Sequence, residues 1–319
     1  MKATKIALAI LLIALLIIIC IVIRPKVTAS YDTLSIVIGG DVMLDRHIRK
    51  LGQQNGYDSL FKNVAPLFMQ ADISIINLEG PITSSSSKTL LPDGKTTNSF
   101  FFTFDPISAK AIKNAGINIV SLANNHTDNF FRKGLDETKY YLSEQDIAWF
   151  GDPSNLENTE YIACKRNLLI DEPFCVALVG YHEFQQGFER VLADVTRLSK
   201  DYPVIVYAHW GEEYSGEPEE RVKEKARYFV ESGASLVIGT HPHVVQGHEY
   251  VAGIPVIYSL GNLVFDQYFN EEVMKGNIAE IKLTRDDDGI MINSVKLHEI
   301  SNKEKLGPKL TGQIIELKR

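Results

Sequence analysis

The sequence predicts an α/β fold, and two observations carry that prediction. Short Val- and Ile-rich runs alternate with helix-length amphipathic segments through much of the chain, and the second half adds strand pairs joined by turns. Strands alternating with helices of about ten to fifteen residues build layered α/β domains. Antiparallel hairpins beside such units imply two packed sheets rather than one. A third observation concerns function: five of the apolar runs lead into residues that metals bind.

Residues 1–30 stand apart by composition. Lys2 and Lys5 precede eighteen uncharged residues, 6–23, made almost wholly of Ile, Leu, Ala and Val, and Arg24 and Lys26 follow. About 18 apolar residues suffice to cross a hydrocarbon core of roughly 30 Å as one helix. The run is also longer than the apolar region of a cleaved signal, about 7–15 residues. The expected organisation is a single-pass membrane anchor at 1–23, a linker at 24–33 and one domain at 34–319. A cleaved signal ending near Ala29 and Ser30 is the alternative. The basic residues on the two sides nearly balance, and the slight bias places the amino terminus inside and the domain in an extracytoplasmic position.

Residues 1–30 hold four of the 33 Lys and Arg and none of the 40 Asp and Glu, which leaves the rest of the chain at a formal charge of −11. No basic stripe offsets it. Nucleic acid is therefore excluded as a partner class, since its binding rests on a basic footprint. Outside the anchor segment the cysteines are Cys164 and Cys175, flanking a turn-like Asp171-Glu172-Pro173. They form either a disulfide across a hairpin, as suits an oxidising compartment, or two buried thiols.

Along the domain, a first strand at 34–40 leads into Asp41. A helix is expected over 58–70, with apolar residues at 60, 61, 64, 67 and 68, and a strand at 73–78 leads into Glu79. Residues 84–98 are polar and read as an exposed loop that could overhang the pocket. A helix at 106–114 stops at Gly116. The strand at 117–123 then leads into Asn124-Asn125-His126. Helices follow at 134–145 and 218–231, the second with acids at its start where the helix dipole favours them. Between them a hairpin is expected from strands at 167–170 and 174–179. Strands at 204–208 and 236–240 lead into His209 and into His241-Pro242-His243. Two further hairpins are expected, from 246–251 with 255–260 and from 278–283 with 290–297.

In open α/β sheets ligands bind at the carboxyl ends of strands. Carboxylates, amides and imidazoles repeated at that edge point to one metal pocket. Imidazole suits Zn, Fe and Mn, and the carboxylates extend the range towards Mn and Mg. His126, beside an amide that can ligate through oxygen, is placed to donate a proton to a leaving group. Three further residues are candidates for substrate contact. Arg46 could hold a carboxylate or phosphate or stand in a surface salt bridge, His182 follows another strand, and Glu212 faces either substrate or solvent. Asn262 and Asp266 have cap or turn roles as their alternative.

Six motifs carry a family resemblance. Gly-Asp-Val-Met at 40–43, Asn-Leu-Glu at 77–79, Ala-Asn-Asn-His at 123–126, His-Trp-Gly-Glu-Glu-Tyr at 209–214, Gly-Thr-His-Pro-His at 239–243 and Tyr-Ser-Leu-Gly-Asn-Leu-Val-Phe-Asp at 258–266 occur in order. Together they resemble the CapA family of poly-γ-glutamate capsule synthesis proteins, a branch similar to the calcineurin-like metallophosphoesterases. The resemblance implies a four-layer αββα sandwich and a centre for one or two divalent ions (Mn, Zn, Fe or Mg). It implies Asp41, Glu79, Asn125, His209, His241 and His243 as ligands, with Asp41 and His126 in the catalytic roles. Two positions depart from the superfamily pattern: Met43 stands where Asp-x-His has its histidine, and Glu79 stands where a bridging Asp is usual.

The expected function is a membrane-anchored, extracytoplasmic part in making, exporting or anchoring an anionic cell-surface polymer. Its expected partners are the membrane, that polymer and the subunits of a membrane synthase. The chemistry implied is metal-dependent hydrolysis or transfer at a phosphoester or amide bond. The alternative is a non-catalytic scaffold or polymer-binding subunit.

Overall fold

The computed structural model describes residues 32–153, 159–166, 172–184, 187–286 and 289–318. The chain divides into two compact units, Met1–Asp32 and Thr33–Arg319, and the second is the subject below. The anchor expected at 1–23, with the linker as far as residue 31, lies outside the described residues. Among the described residues no helix is long and apolar enough to cross a membrane.

Strand β1 (Asp32–Val42) is followed by helix α1 (Arg46–Asn55), a 3-10 turn (Tyr57–Leu60) and the short helix α2 (Ala65–Met69). Next come β2 (Ile73–Leu78), α3 (Ile107–Asn114), β3 (Ile119–Ser121), α4 (Phe131–Ser143), β4 (Ala148–Phe150), β5 (Glu160–Lys165) and β6 (Phe174–His182). Helix α5 (Phe188–Leu198), β7 (Val204–His209), α6 (Glu220–Glu231), β8 (Ala234–Thr240), β9 (His248–Val251), β10 (Ile254–Ile257) and β11 (Asn262–Val264) follow. A 3-10 turn (Glu272–Met274), β12 (Lys275–Asp286), β13 (Gly289–Ser301) and β14 (Lys309–Glu316) complete the order.

Two sheets result. One runs β14-β13-β12-β1-β2-β3-β4, with β11 also paired to β1, and the other runs β5-β6-β7-β8-β10-β9. Pairs β1–β2, β2–β3, β3–β4 and β1–β11 are parallel, as are β6–β7, β7–β8 and β8–β10. The alternation of side chains along a strand separates three apolar seams. Leu34, Ile36 and Ile38 of β1 meet Ile205 and Tyr207 of β7 and Leu236 and Ile238 of β8 between the sheets. Val37 and Val42 face the other way, towards Ile48, Leu51, Phe68, Ile112, Leu135 and Leu142 of α1 to α4. On the far side, Val204, Val206 and Ala208 pack on Val191 and Val195 of α5 and on Val222, Ala226 and Phe229 of α6. The chain is thus an α/β fold with two mixed sheets, each carrying helices on its outer face.

Several elements differ from expectation. The single helix over 58–70 is a 3-10 turn and a five-residue helix, because Pro66 falls at the first turn of α2, where its missing N–H costs nothing. The hairpin strand at 167–170 lies outside the described residues; β5 instead pairs antiparallel with β6 and ends at Lys165. In that register Cys164 faces Cys175, and the two are disulfide-bonded. β1 begins at Asp32, two residues before the expected domain start.

Helix α1 has its own buried anchor. The Asp45 carboxylate caps it by accepting from Arg46 N–H at 2.9 Å and Arg49 Nε at 2.9 Å. It also accepts from Ser87 Oγ at 2.8 Å and Thr103 N–H at 3.0 Å. The polar stretch 84–98 is thereby tied to the start of α1 rather than hanging free.

Candidate metal centre

Both sheets deliver the carboxyl ends of their parallel strands to one pocket. In the first sheet Asp41 is in register with Asn77 of β2 and with Asn262 of β11. In the second, His182 is in register with His209, and His209 with Thr240. The close approach of β1 to the turn before β11 depends on Gly40, where a Cβ would overlap the Gly261 carbonyl oxygen. His241 and His243 sit at φ of +97° and +59°, a left-handed backbone that few non-glycine residues adopt and that is found most often at functional sites.

Ligand atoms of Asp41, Glu79 and His243 lie within 4.8 Å of one another, and all three residues are buried. His243 Nε2 is 3.6 Å from Glu79 Oε1, and His243 Nδ1 is 3.4 Å from Asp41 Oδ2. A second group adjoins them. His209 Nε2 is 2.9 Å from Asn125 Oδ1 and 3.1 Å from His241 Nδ1, while His209 Nδ1 is 4.0 Å from Asp41 Oδ1. His126 Nε2 lies 4.0 Å from Glu79 Oε1. The seven residues expected at the centre are therefore brought together.

The other expected residues are placed differently. Met43 packs in the seam under α1, and its sulfur accepts the Asp45 N–H at 3.0 Å, so it offers nothing to the carboxylates. Arg46 stands at the edge, paired with Asp266, with its guanidinium carbon 5.0 Å from the centre of the Phe102 ring. His182 is enclosed, its ring 5.9 Å from that of His209. Glu212 is exposed on the loop after β7.

A layer of buried amides holds these groups. Asn77 Nδ2 donates to Asp41 Oδ1 at 2.7 Å and lies 3.2 Å from His209 Nδ1. Asn124 Nδ2 donates to Asn77 Oδ1 and to the Leu78 carbonyl, both at 2.9 Å. Asn262 Nδ2 donates to the carbonyls of His243 and Val273 and to Gln267 Oε1, which turns its Oδ1 to His243 Nδ1 at 3.0 Å. The His243 proton is thereby held on Nδ1, and the Nε2 lone pair faces Glu79. Further out, Glu183 accepts the Gly211 N–H at 2.8 Å and is gripped by Arg221 and Lys225, which pins the loop after His209. Sequence reasoning gave Asn77, Asn124 and Glu183 no such role. The available signal was an amide interrupting or ending an apolar run.

Burial sets the electrostatics. It pushes the Asp41 carboxyl up, but the hydrogen bonds and charge of His243, with the bonds from Asn77 and the His241 N–H, outweigh it and leave Asp41 below the usual range. Glu79 goes the other way: burial, then the charges of Asp41 and Glu213, raise it well above its ordinary value. Burial lowers His209 well below the usual imidazole range, His241 to about 3 and His126 to about 4, with neighbouring histidines adding to it. Burial also takes His182 to about 4. His126, His182, His209 and His241 are thus neutral at physiological pH, and the neutral imidazole is the form that ligates metals.

The test of metal fit is Glu79. Both of its oxygens are buried without a hydrogen-bond partner among the described residues. An uncompensated buried carboxylate is strongly disfavoured, and a cation satisfies it. Neutral imidazoles, an amide oxygen and two carboxylates form a donor set suited to a divalent ion. The residues present fit such an ion.

Comparisons with known proteins bear on family and fold. The family model described as bacterial capsule synthesis protein PGA_cap matches residues 35–267. The chain is 29% identical over 263 residues to the capsule biosynthesis protein CapA of Bacillus anthracis, covering 77% of this chain and 63% of that protein. It is 28% identical over 260 residues to the PGA biosynthesis protein CapA of Bacillus subtilis, covering 76% of this chain and 66% of that protein. The match thus spans less than two thirds of either relative. Among solved structures, the calcineurin-like phosphoesterase YfkN of Bacillus subtilis is similar with a TM-score of 0.53 at 14% identity, over 85% of this chain and 91% of that one. That likeness is one of fold.

Proposed function

The chain belongs to the bacterial capsule synthesis protein family PGA_cap, and from that membership we propose that it is a membrane-anchored, extracytoplasmic component of capsule or poly-γ-glutamate synthesis or export, with a metal-dependent hydrolase or transferase centre. The three apolar seams are read as the four-layer αββα sandwich of the metallophosphoesterases. The apolar segment at 6–23 supports the anchor, and the Cys164–Cys175 disulfide supports an oxidising compartment. The polymer itself and the subunits of a membrane synthase are the partners this reading assigns.

The observation that carries the reading is the Glu79 carboxylate, enclosed beside Asp41 and His243 with both oxygens unpartnered among the described residues. Asp41, Glu79 and His243 would hold one divalent ion, and Asn125, His209 and His241 a second. An ion there supplies charge that polarises a phosphoryl or acyl oxygen and activates water near neutral pH. The chain's own contribution is proton placement. The Asn129 amide donates to His126 Nδ1 at 3.1 Å, so the neutral ring carries its proton on Nε2, the atom that faces Glu79. That N–H would hydrogen-bond the leaving group, and protonation of the leaving group would need the ring in its imidazolium form.

One observation favours the scaffold reading. Met43 leaves the Asp41, Glu79 and His243 half without the imidazole that the superfamily pattern places there. The purified full chain decides between them, by metal analysis and by hydrolysis of a generic phosphodiester, with His126→Ala and His241→Ala as controls. Bound metal, with activity lost in both variants, is expected. A metal-free, inactive protein favours the scaffold, and activity surviving both substitutions refutes the site assignment.

A further inference from the structure

The metal-dependent reading leaves one side chain beside the centre without a task. The Arg46 guanidinium lies over two adjoining aromatic rings, 5.0 Å from the centroid of Phe102 and 5.7 Å from that of Phe265. Phe102 is 4.6 Å from the His126 ring and Phe265 is 4.7 Å from the His243 ring. The cation is therefore one ring away from both imidazoles that approach Glu79.

A neighbour in the same helix shows what a structural arginine looks like here. Each of the three guanidinium nitrogens of Arg49 is engaged: Nε by Asp45, Nη1 by Asp105 and Nη2 by the Thr103 carbonyl. Among the described residues Arg46 gives only Nη2 to a protein acceptor, Asp266, whose other oxygen accepts the His47 N–H at 3.1 Å. Its Nε is buried with no partner among the described residues. A guanidinium has five N–H groups and always carries its charge, and a buried donor left unpaired is a group in want of an acceptor. Arg46 also sits at a φ of +51°, a strained conformation for its residue type.

Charge bears on the same point. Asp41 and Glu79 are buried in the centre and Asp266 pairs with Arg46 at its edge, in a chain whose formal charge past residue 30 is −11. An anionic substrate entering this ground needs a fixed cation besides any bound ion. The guanidinium lies over Phe102 and Phe265, and its planar fork matches carboxylate and phosphate geometry.

Resting on the metal-dependent reading above, we infer that Arg46 binds an anionic oxygen group of the substrate, a carboxylate or a phosphate, beside the Asp41, Glu79 and His243 centre, with Asp266 as the residue that positions it. The test uses the full chain as wild type, Arg46→Lys, Arg46→Met, Asp266→Asn and Asp266→Glu. Metal content is measured first. Each protein is then titrated calorimetrically with inorganic phosphate and with a γ-linked glutamate trimer, with and without added Mn. Wild type binds at least one of the two, and which one identifies the group. Arg46→Met weakens that binding by about tenfold or more at unchanged metal content. Arg46→Lys keeps part of it, and should Arg46→Met fail to fold, Arg46→Lys against wild type decides. Asp266→Asn weakens it and Asp266→Glu restores part, a pattern that a merely structural carboxylate would not give. Equal affinity in wild type and the Arg46 variants, or a metal-loaded wild type that binds neither probe, overturns this inference alone. Absence of metal from wild type overturns the metal-dependent reading instead, and the titration without Mn still reports on Arg46.

Discussion

Glu79→Gln should reverse the order of stability between metal-free and metal-loaded protein. The side chain keeps its shape and loses its charge. In protein stripped of divalent ions, burial and the charges of Asp41 and Glu213 raise the Glu79 carboxyl well above its ordinary value, with Arg46 opposing them. The folded state then binds this proton more tightly than the unfolded state does. Metal-free stability is therefore full below the ordinary carboxyl value of 4.5 and declines as pH rises through the folded value. Above that, the ionised group sits buried with no hydrogen-bond partner among the described residues, at a cost exceeding the roughly 1–3 kcal/mol of a neutral group. Gln removes the charge, so the variant should melt higher in chelator at pH 8, by roughly 2–4 °C for each kcal/mol. With metal the sign changes. Free ion at about 100 times its dissociation constant adds about 2.7 kcal/mol to wild type, and the variant, lacking the anionic ligand, should gain little. The assay is thermal unfolding from pH 4 to 8, in chelator and in Mn or Zn. A variant that is less stable in chelator, or that shows the same metal-induced shift as wild type, refutes the argument.

Four other substitutions test the supporting structure. Asn262→Leu removes the acceptor that holds the His243 proton on Nδ1, and metal affinity measured by chelator competition should fall by about 10–100-fold. Gly40→Ala drives a Cβ into the Gly261 carbonyl and should abolish soluble folded protein. Gly247→Ala, where nothing lies within 4 Å, should change the unfolding free energy by less than about 0.5 kcal/mol. At Glu183 burial raises the carboxyl, but the bonds from Arg221, Lys225 and the Gly211 N–H outweigh it and leave it lowered. Its contribution to stability is thus present above the ordinary 4.5 and lost as pH falls through the folded value. Glu183→Gln should flatten the acid limb of the stability curve in denaturant titrations below about pH 5.

The residues gathered at the pocket were legible because each follows a run whose strand character is local. Asp41, Glu79, His209 and His241 end or follow apolar runs of β1, β2, β7 and β8, and the rule that ligands gather at carboxyl ends does the rest. The residues that hold them were not legible, because their partners are remote in sequence. Asp41 meets Asn262 only through parallel pairing of β1 with β11, and Asn77 meets His209 only because the two sheets face each other. Helix α1 escaped notice for a related reason. Its buried positions are Ile48, Arg49, Leu51 and Gly52, and an arginine and a glycine leave no apolar stripe to read. Strand β14 is exposed along its whole length and shows no alternation that marks a buried face.

Met43 links these two kinds of residue. Where the superfamily pattern has an imidazole, the thioether sulfur accepts the Asp45 N–H, and Asp45 in turn caps α1 at Arg46. On the reading proposed above, Met43 leaves the half that holds Asp41, Glu79 and His243 one ligand short. The same strand end also leads into the helix that sets a cation at the edge of that half, over rings that touch His126 and His243. On the reading proposed above, the centre gives up one neutral donor to an ion and gains one fixed positive charge towards substrate. A centre built that way binds its first ion less tightly than an intact Asp-x-His site would and depends more on the charge of what it receives.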